Sequence, residues 1–143
     1  MINRRTPCVG VCSTTYGDLV CRGCKRFSHE IVGWNGYDSD QQERVRLRLI
    51  KLHHESVRAC VRVYDQIRWR LTLESMIDAE PNEFAPLALA VLKNVVRKPS
   101  EAGLEPLGLP RDVLSSDVLR SIDREFYIRS TAYYERSFKT LAL

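Results

Sequence analysis

Between positions 38 and 80 the chain has neither glycine nor proline, and its polar and apolar residues recur at a helical period. At about 100° per residue, Arg44, Arg48, Lys51, Glu55, Arg58 and Arg62 fall within roughly 80° of one another. Val45, Leu49, Ile50, Leu52, Val57, Cys60, Val61, Val63, Tyr64 and Ile67 occupy the opposite half. Arg44 to Leu49 also alternates as a strand would, but over six residues only, whereas the helical pattern continues for more than twenty. The longer pattern predicts a helix. Asp38-x-x-Gln41 or Ser39-x-x-Gln42 supplies its N-terminal capping box, giving partners to backbone N–H groups that would otherwise lack them.

Phase is lost after Ile67: Trp69 falls on the basic side and Arg68 on the apolar side. Arg68 to Leu73 therefore predicts a bend, a restarted helix or a short strand. A second helix is expected from about Asn82 to Arg97, with Pro86 in its first turn. Pro99, Gly103, Pro106, Gly108 and Pro110 mark a loop near 99–111. A third helix is expected over Ser116 to Phe138, where Val118, Leu119, Ile122, Phe126 and Tyr133 share a face. Residues 1–37 contrast with all of this. They hold four of the five cysteines and five of the seven glycines with no long periodic run, and so read as a loop-rich module held by something other than a core. The expected fold class is mainly α: a four-cysteine module at 1–37, then a small packing of about three helices at 38–143.

At 143 residues and 44% hydrophobic, the chain can bury a core, which excludes wholesale disorder. No apolar run approaches the ~20 residues of a membrane helix, and the longest, Phe84 to Leu92, is interrupted by Pro86. The basic start lacks the apolar stretch of a secretion signal, so the expected location is the cytoplasm, with no membrane partner. In that reducing compartment five cysteines are not a disulfide framework, and their odd number forbids complete pairing.

Cys8-x3-Cys12-x8-Cys21-x2-Cys24 is the most informative spacing in the chain. Two close pairs joined by a short loop let four thiolates converge without a preformed core, as tetrahedral zinc and iron–sulfur clusters both require. Gly10 and Gly23, one inside each pair, suit the tight turns and close backbone approach around sulfur. Arg22, Lys25 and Arg26 are expected to lower the thiol pKa values. Reduced structural thiols, or a redox dithiol at Cys21-Arg22-Gly23-Cys24, are the alternatives, although a thioredoxin-like site needs a βαβ context that the pattern does not show.

Thr6-Pro7-Cys8-Val9-Gly10-Val11-Cys12, Cys21-Arg22-Gly23-Cys24-Lys25-Arg26, Glu30-Ile31, Trp34 and the helix start through Glu43-Arg44 together resemble the small bacterial YdhL-type proteins. These are predicted iron–sulfur proteins with a domain of unknown function numbered 1289. The resemblance spans about residues 5–50 and implies a four-cysteine cluster site. Phe27 stands where that family leads one to expect threonine, a change expected to alter only the start of the next short helix. Ser28-His29-Glu30-Ile31 reads as that helix, with Ile31 and Trp34 packing over the cysteine loops and Glu30 capping it or pairing with Arg26.

Other chemistry is sparse. His29 is not needed where four cysteines complete a ligand set. Adjacent His53 and His54 point about 100° apart and read as structural. Cys60, on the apolar face, reads as a buried thiol. No catalytic triad, phosphate-cradling glycine loop or zinc-hydrolase motif is present, so the chain is not expected to be an enzyme. Residues 44–70 carry eight basic and two acidic side chains within a chain of net charge +4. The stripe is either a solvated helix face or a track for a phosphate backbone along Arg44, Arg48, Lys51, Arg58 and Arg62, with Trp69 stacking. The preferred expectation is a small non-enzymatic protein with an iron–sulfur or zinc site at Cys8, Cys12, Cys21 and Cys24. It would act by binding or electron transfer, with an unidentified protein partner. The alternative is a zinc-stabilised nucleic-acid-binding protein.

Overall fold

The computed structural model describes residues 6–10, 12–61, 65–75, 84, 89, 92 and 116–139. The fold is mainly α, with no strand among these residues. Its helices are α1 (Ser28–Gly33), α2 (Ser39–Cys60), α3 (Gln66–Ser75) and α4 (Ser116–Tyr134). Short 3-10 turns at Ser13–Tyr16 and Trp34–Gly36 and a π turn at Glu135–Lys139 complete it.

The first of the two expected capping boxes starts α2: Gln41 donates its backbone N–H to Asp38 Oδ1 at 2.8 Å, and Asp38 donates to Gln41 Oε1 at 2.9 Å. Gln42 also reaches back from α2 to the Trp34 carbonyl, fixing the preceding turn against the helix. Val45, Leu49 and Leu52 line the buried face and join Trp34, Phe84 and Phe126 in one apolar cluster, against which Tyr37 packs. Leu89 and Leu92 are helical and buried. Phe84, inside the expected helix Asn82–Arg97, lies in a turn, and the remaining residues of that helix, with the expected loop near 99–111, lie outside the described residues.

α2 packs against α4. Arg48 lies over Tyr133, Glu55 pairs with Arg129 and Cys60 lies beside Glu125, so positions rise along α2 as they fall along α4. The two helices are antiparallel. The helix expected to end at Phe138 instead widens into the π turn after Tyr134. That turn carries Phe138 to the rings of Phe27 and His29.

The continuous helix expected through Ile67 is broken. It ends at Cys60, with β-branched Val61 extended at φ −118° and ψ 120°. Asp65 then opens α3, its carboxylate accepting the Arg68 N–H at 3.1 Å as an N-terminal cap. The restart resets the helical phase. Ile67, assigned above to the apolar face, is 70% exposed, while Trp69, assigned to the basic face, is buried at 9%.

Phe27, expected to matter only for the start of α1, is 1% exposed and sits among the rings of His29, Tyr133, Tyr134 and Phe138. The Arg48 guanidinium covers it at 4.0 Å from the ring centroid. As N-cap of α1 a phenylalanine offers no side-chain acceptor. Glu30 instead accepts the Phe27 N–H at 2.8 Å, closing half of a capping box. The expected partner of Glu30, Arg26, is replaced by Arg48, which grips both carboxylate oxygens at 2.6 Å. The pair is buried, 7% exposed at Glu30 and 12% at Arg48, because the Phe27 ring leaves the guanidinium no path to water on that side.

Removing one charge from such a pair strands the other in low dielectric, at a cost of about 3–5 kcal/mol. Glu30→Gln, which keeps an acceptor for the Phe27 N–H, is expected to lower the urea unfolding free energy by about 3 kcal/mol. Adding Arg48→Met should restore much of that loss. A double variant as unstable as the single would assign the loss to something other than the stranded charge.

Candidate functional site

The second cysteine pair forms the tip of a miniature hairpin. Val20 and Phe27 make an isolated antiparallel bridge, Ser28 donates to the Leu19 carbonyl and Cys21 to the Arg26 carbonyl, both at 2.9 Å. The chain turns within Cys21–Arg26 and closes with the Lys25 N–H on the Cys21 carbonyl at 2.9 Å. Lys25 takes φ +65°, a left-handed conformation uncommon outside glycine. Its side chain explains why a lysine stands there. Only 1% of Lys25 is exposed, and its ammonium donates to the Arg22 carbonyl, to the Gly23 carbonyl at 3.0 Å and to Asp123 Oδ1 on α4. It also lies 5.4 Å from the centre of the Phe126 ring. One buried cation thus ties the hairpin tip to α4 and to the core.

Around Cys21 the backbone is arranged for a negatively charged sulfur. Burial pushes this thiol up, but the N–H groups of Cys24, Ser13 and Gly23, with the Cys24 thiol, outweigh it and bring the pKa down from 9.0 to about 7. Ser13 immediately follows Cys12, and its hydroxyl accepts the Arg22 N–H at 2.8 Å, so the segment carrying Cys12 is docked on the hairpin tip. Cys8 shows a local version of the same motif: Gly10, at φ +95°, directs its N–H at the Cys8 sulfur at 3.4 Å. No Cβ fits that backbone without strain, which accounts for the glycine.

The four thiols are nonetheless not drawn into one cluster. Cys21 and Cys24 are buried free thiols joined by a hydrogen bond, Cys12 is half-buried with its sulfur 2.8 Å from Thr14 Oγ1, and Cys8 is exposed. Among the described residues no three His, Cys, Asp or Glu side chains are grouped to hold a metal ion. The donor chemistry fits such a group at the second pair, where the backbone already addresses sulfur. The first pair would have to close onto it.

Arg26 strengthens the fit. It is buried at the hairpin, donates from Nε to the Cys24 sulfur at 3.3 Å and stacks on the Trp34 ring at 4.9 Å. Among the described residues it has no carboxylate partner. A buried guanidinium without a counter-charge is costly, and the group it touches is a thiol. Burial pushes the Cys24 thiol up against the lowering pull of Arg26. The expectation that Arg22, Lys25 and Arg26 together lower the thiols is therefore corrected. Backbone N–H groups act on Cys21 and Arg26 alone acts on Cys24, while Lys25 is engaged by carbonyls and Asp123 and Arg22 pairs with Asp18 at 3.3 Å.

The basic stripe loses two of its expected members. Arg48 is committed to Glu30 and Phe27, and Trp69 is buried rather than presenting a ring to solvent. Arg44, Lys51 and Arg58 are exposed, and Arg62 lies outside the described residues. Cys60 is half-buried beside α4, its thiol pushed up by burial and by Glu125, against Arg129. His53 is occupied by Phe126, and His54 is exposed. Sequence reasoning missed Lys25 and Asp123 as a pair. The one available signal was a non-glycine residue directly after a C-x2-C turn, where a left-handed conformation is needed.

The family model described as Protein of unknown function (DUF1289) matches residues 6–53, from the threonine before the first cysteine to His53 in α2. No curated protein and no solved structure matches the chain.

The electrostatics at Cys21 give a measurable step. In the reduced, metal-free protein, ultraviolet thiolate absorbance should rise through about pH 7 and lose that step in Cys21→Ser. Because the folded value lies below the ordinary 9.0, ionisation favours the folded state above pH 9.0. That contribution fades as the pH falls through about 7. A first thiolate step no lower than an ordinary thiol would contradict the role given to the N–H groups.

Proposed function

With residues 6–53 belonging to the DUF1289 family, we propose that they form a metal-binding domain in which Cys8, Cys12, Cys21 and Cys24 hold one iron–sulfur cluster. Zinc is the alternative occupant of the same four sulfurs. The observation that carries this reading is the buried Arg26 guanidinium bonded to the Cys24 sulfur with no carboxylate partner among the described residues. Its counter-charge is supplied if Cys24 is a thiolate, and a bound cation is what makes a buried thiolate favourable. The N–H groups of Cys24, Ser13 and Gly23 do the same for Cys21, and that of Gly10 for Cys8. Lys25 holds the two carbonyls of the tip, so its N–H groups stay directed inward.

When bound, a cluster supplies a one-electron centre, and zinc supplies a rigid cross-link. The protein then acts non-enzymatically, by binding or by electron transfer with a protein partner, in the reducing cytoplasm where four thiols remain available. Among the described residues no helix is long and apolar enough to cross a membrane.

The test is metal and acid-labile sulfide per chain after purification without oxygen. Cys8→Ser, Cys12→Ser, Cys21→Ser and Cys24→Ser should each lower bound metal at least several-fold, while Cys60→Ser should not. Brown protein with sulfide matching its iron supports the cluster, and colourless protein with one zinc per chain after iron-replete growth selects zinc. Full metal retention in all four variants, or equal loss in Cys60→Ser, overturns the site.

A further inference from the structure

An open hollow of about 510 Å³ lies between the hairpin tip and the first turns of α4. Arg22, Arg120 and Arg124 line it together with Leu119, Tyr127 and Asp123. The single carboxylate does not make it neutral, because Asp123 already receives the buried Lys25 ammonium.

The three guanidinium groups retain unspent donors. Arg22 uses Nε on Asp18 at 3.3 Å and lies 4.9 Å from the Tyr127 ring centre, which leaves its terminal NH2 groups without a partner among the described residues. Among the described residues Arg120 reaches only Asp117, at 3.8 Å, and both side chains are largely exposed. Arg124 has no partner among the described residues. Guanidinium forks match a phosphate in shape and charge and bond it through paired N–H groups. Leu119 and Tyr127 add an apolar wall next to them. The size falls within the ~300–1,000 Å³ of small-ligand sites.

We infer that this hollow binds a phosphorylated small molecule bearing a planar aromatic group, the class to which nucleoside phosphates belong. The phosphate sits among Arg22, Arg120 and Arg124, and the planar group lies against Leu119 and Tyr127. The inference stands apart from the metal reading, since four of the six lining residues named belong to α4 rather than to the cysteine hairpin or its tie.

Adenosine 5′-monophosphate, adenosine, inorganic phosphate and a short single-stranded RNA serve as probes, titrated calorimetrically into the full chain at low salt. Adenosine monophosphate should bind saturably, with adenosine and inorganic phosphate each at least tenfold weaker. Arg124→Gln and Arg120→Gln should each weaken it at least fivefold with unchanged circular dichroism, and Arg58→Gln on α2 should leave it as it was. Absence of binding in the millimolar range overturns the inference, as does equal binding of adenosine. Inorganic phosphate binding as tightly as the nucleotide removes the role of the apolar wall and overturns it too. RNA binding where the nucleotide does not bind replaces the pocket by a polymer track, and indifference of both α4 variants assigns any observed binding elsewhere.

Discussion

A buried ammonium is the constraint on which this structure turns. Taking the charge of Lys25 out of water costs several kcal/mol, and hydrogen bonds to a charged group return about 1.5–3 kcal/mol each. With fewer than its three acceptors in place the group would be a net liability. The Arg22 and Gly23 carbonyls and Asp123 must therefore all be present together. This single requirement fixes the curvature of the cysteine turn, selects a left-handed backbone at Lys25 and sets where α4 lies relative to the hairpin.

A second cation works beside the first. Arg48 lies between the Phe27 ring and Glu30 and so binds α2 both to the hairpin's end and to α1. A desolvated guanidinium over a ring contributes about 2 kcal/mol. Each aromatic contact of Phe27 adds about 0.5–1.5 kcal/mol. Threonine at position 27 could cap α1 through its hydroxyl but could not collect Tyr133, Tyr134 and Phe138 around itself. In this chain the position has exchanged a local cap, now supplied from Glu30, for a long-range anchor to the C-terminal end of α4.

Local chemistry was legible and long-range pairing was not. Asp38 and Gln41 announce the start of α2 within four residues, and the apolar stripe of Val45, Leu49 and Leu52 announces its buried face. The break before α3 was hidden because Val61 and Ile67 continue an apolar count that is indifferent to a change of phase. Only Asp65, a good cap inside that count, marked the restart. An unbroken phase places Trp69 on the basic side, whereas the restarted helix buries it. Arg48 matched its stripe neighbours in charge and period, yet its partner lies 18 residues away on another helix, where no periodicity reports it. The cysteine spacing singles out Cys8, Cys12, Cys21 and Cys24, but the structure does not draw their thiols into one cluster. The spacing could not indicate that N–H groups, rather than neighbouring cations, address Cys21.

The separation between Lys25 and its carboxylate, 98 residues, also has a meaning in time. At ribosomal rates the interval between making the two is roughly 5–20 s. Throughout it the ammonium lacks the carboxylate that makes its burial worthwhile. Arrival of α4 then acts as a latch. The turn that carries Cys21 and Cys24 therefore reaches its buried form only once α4 has been made.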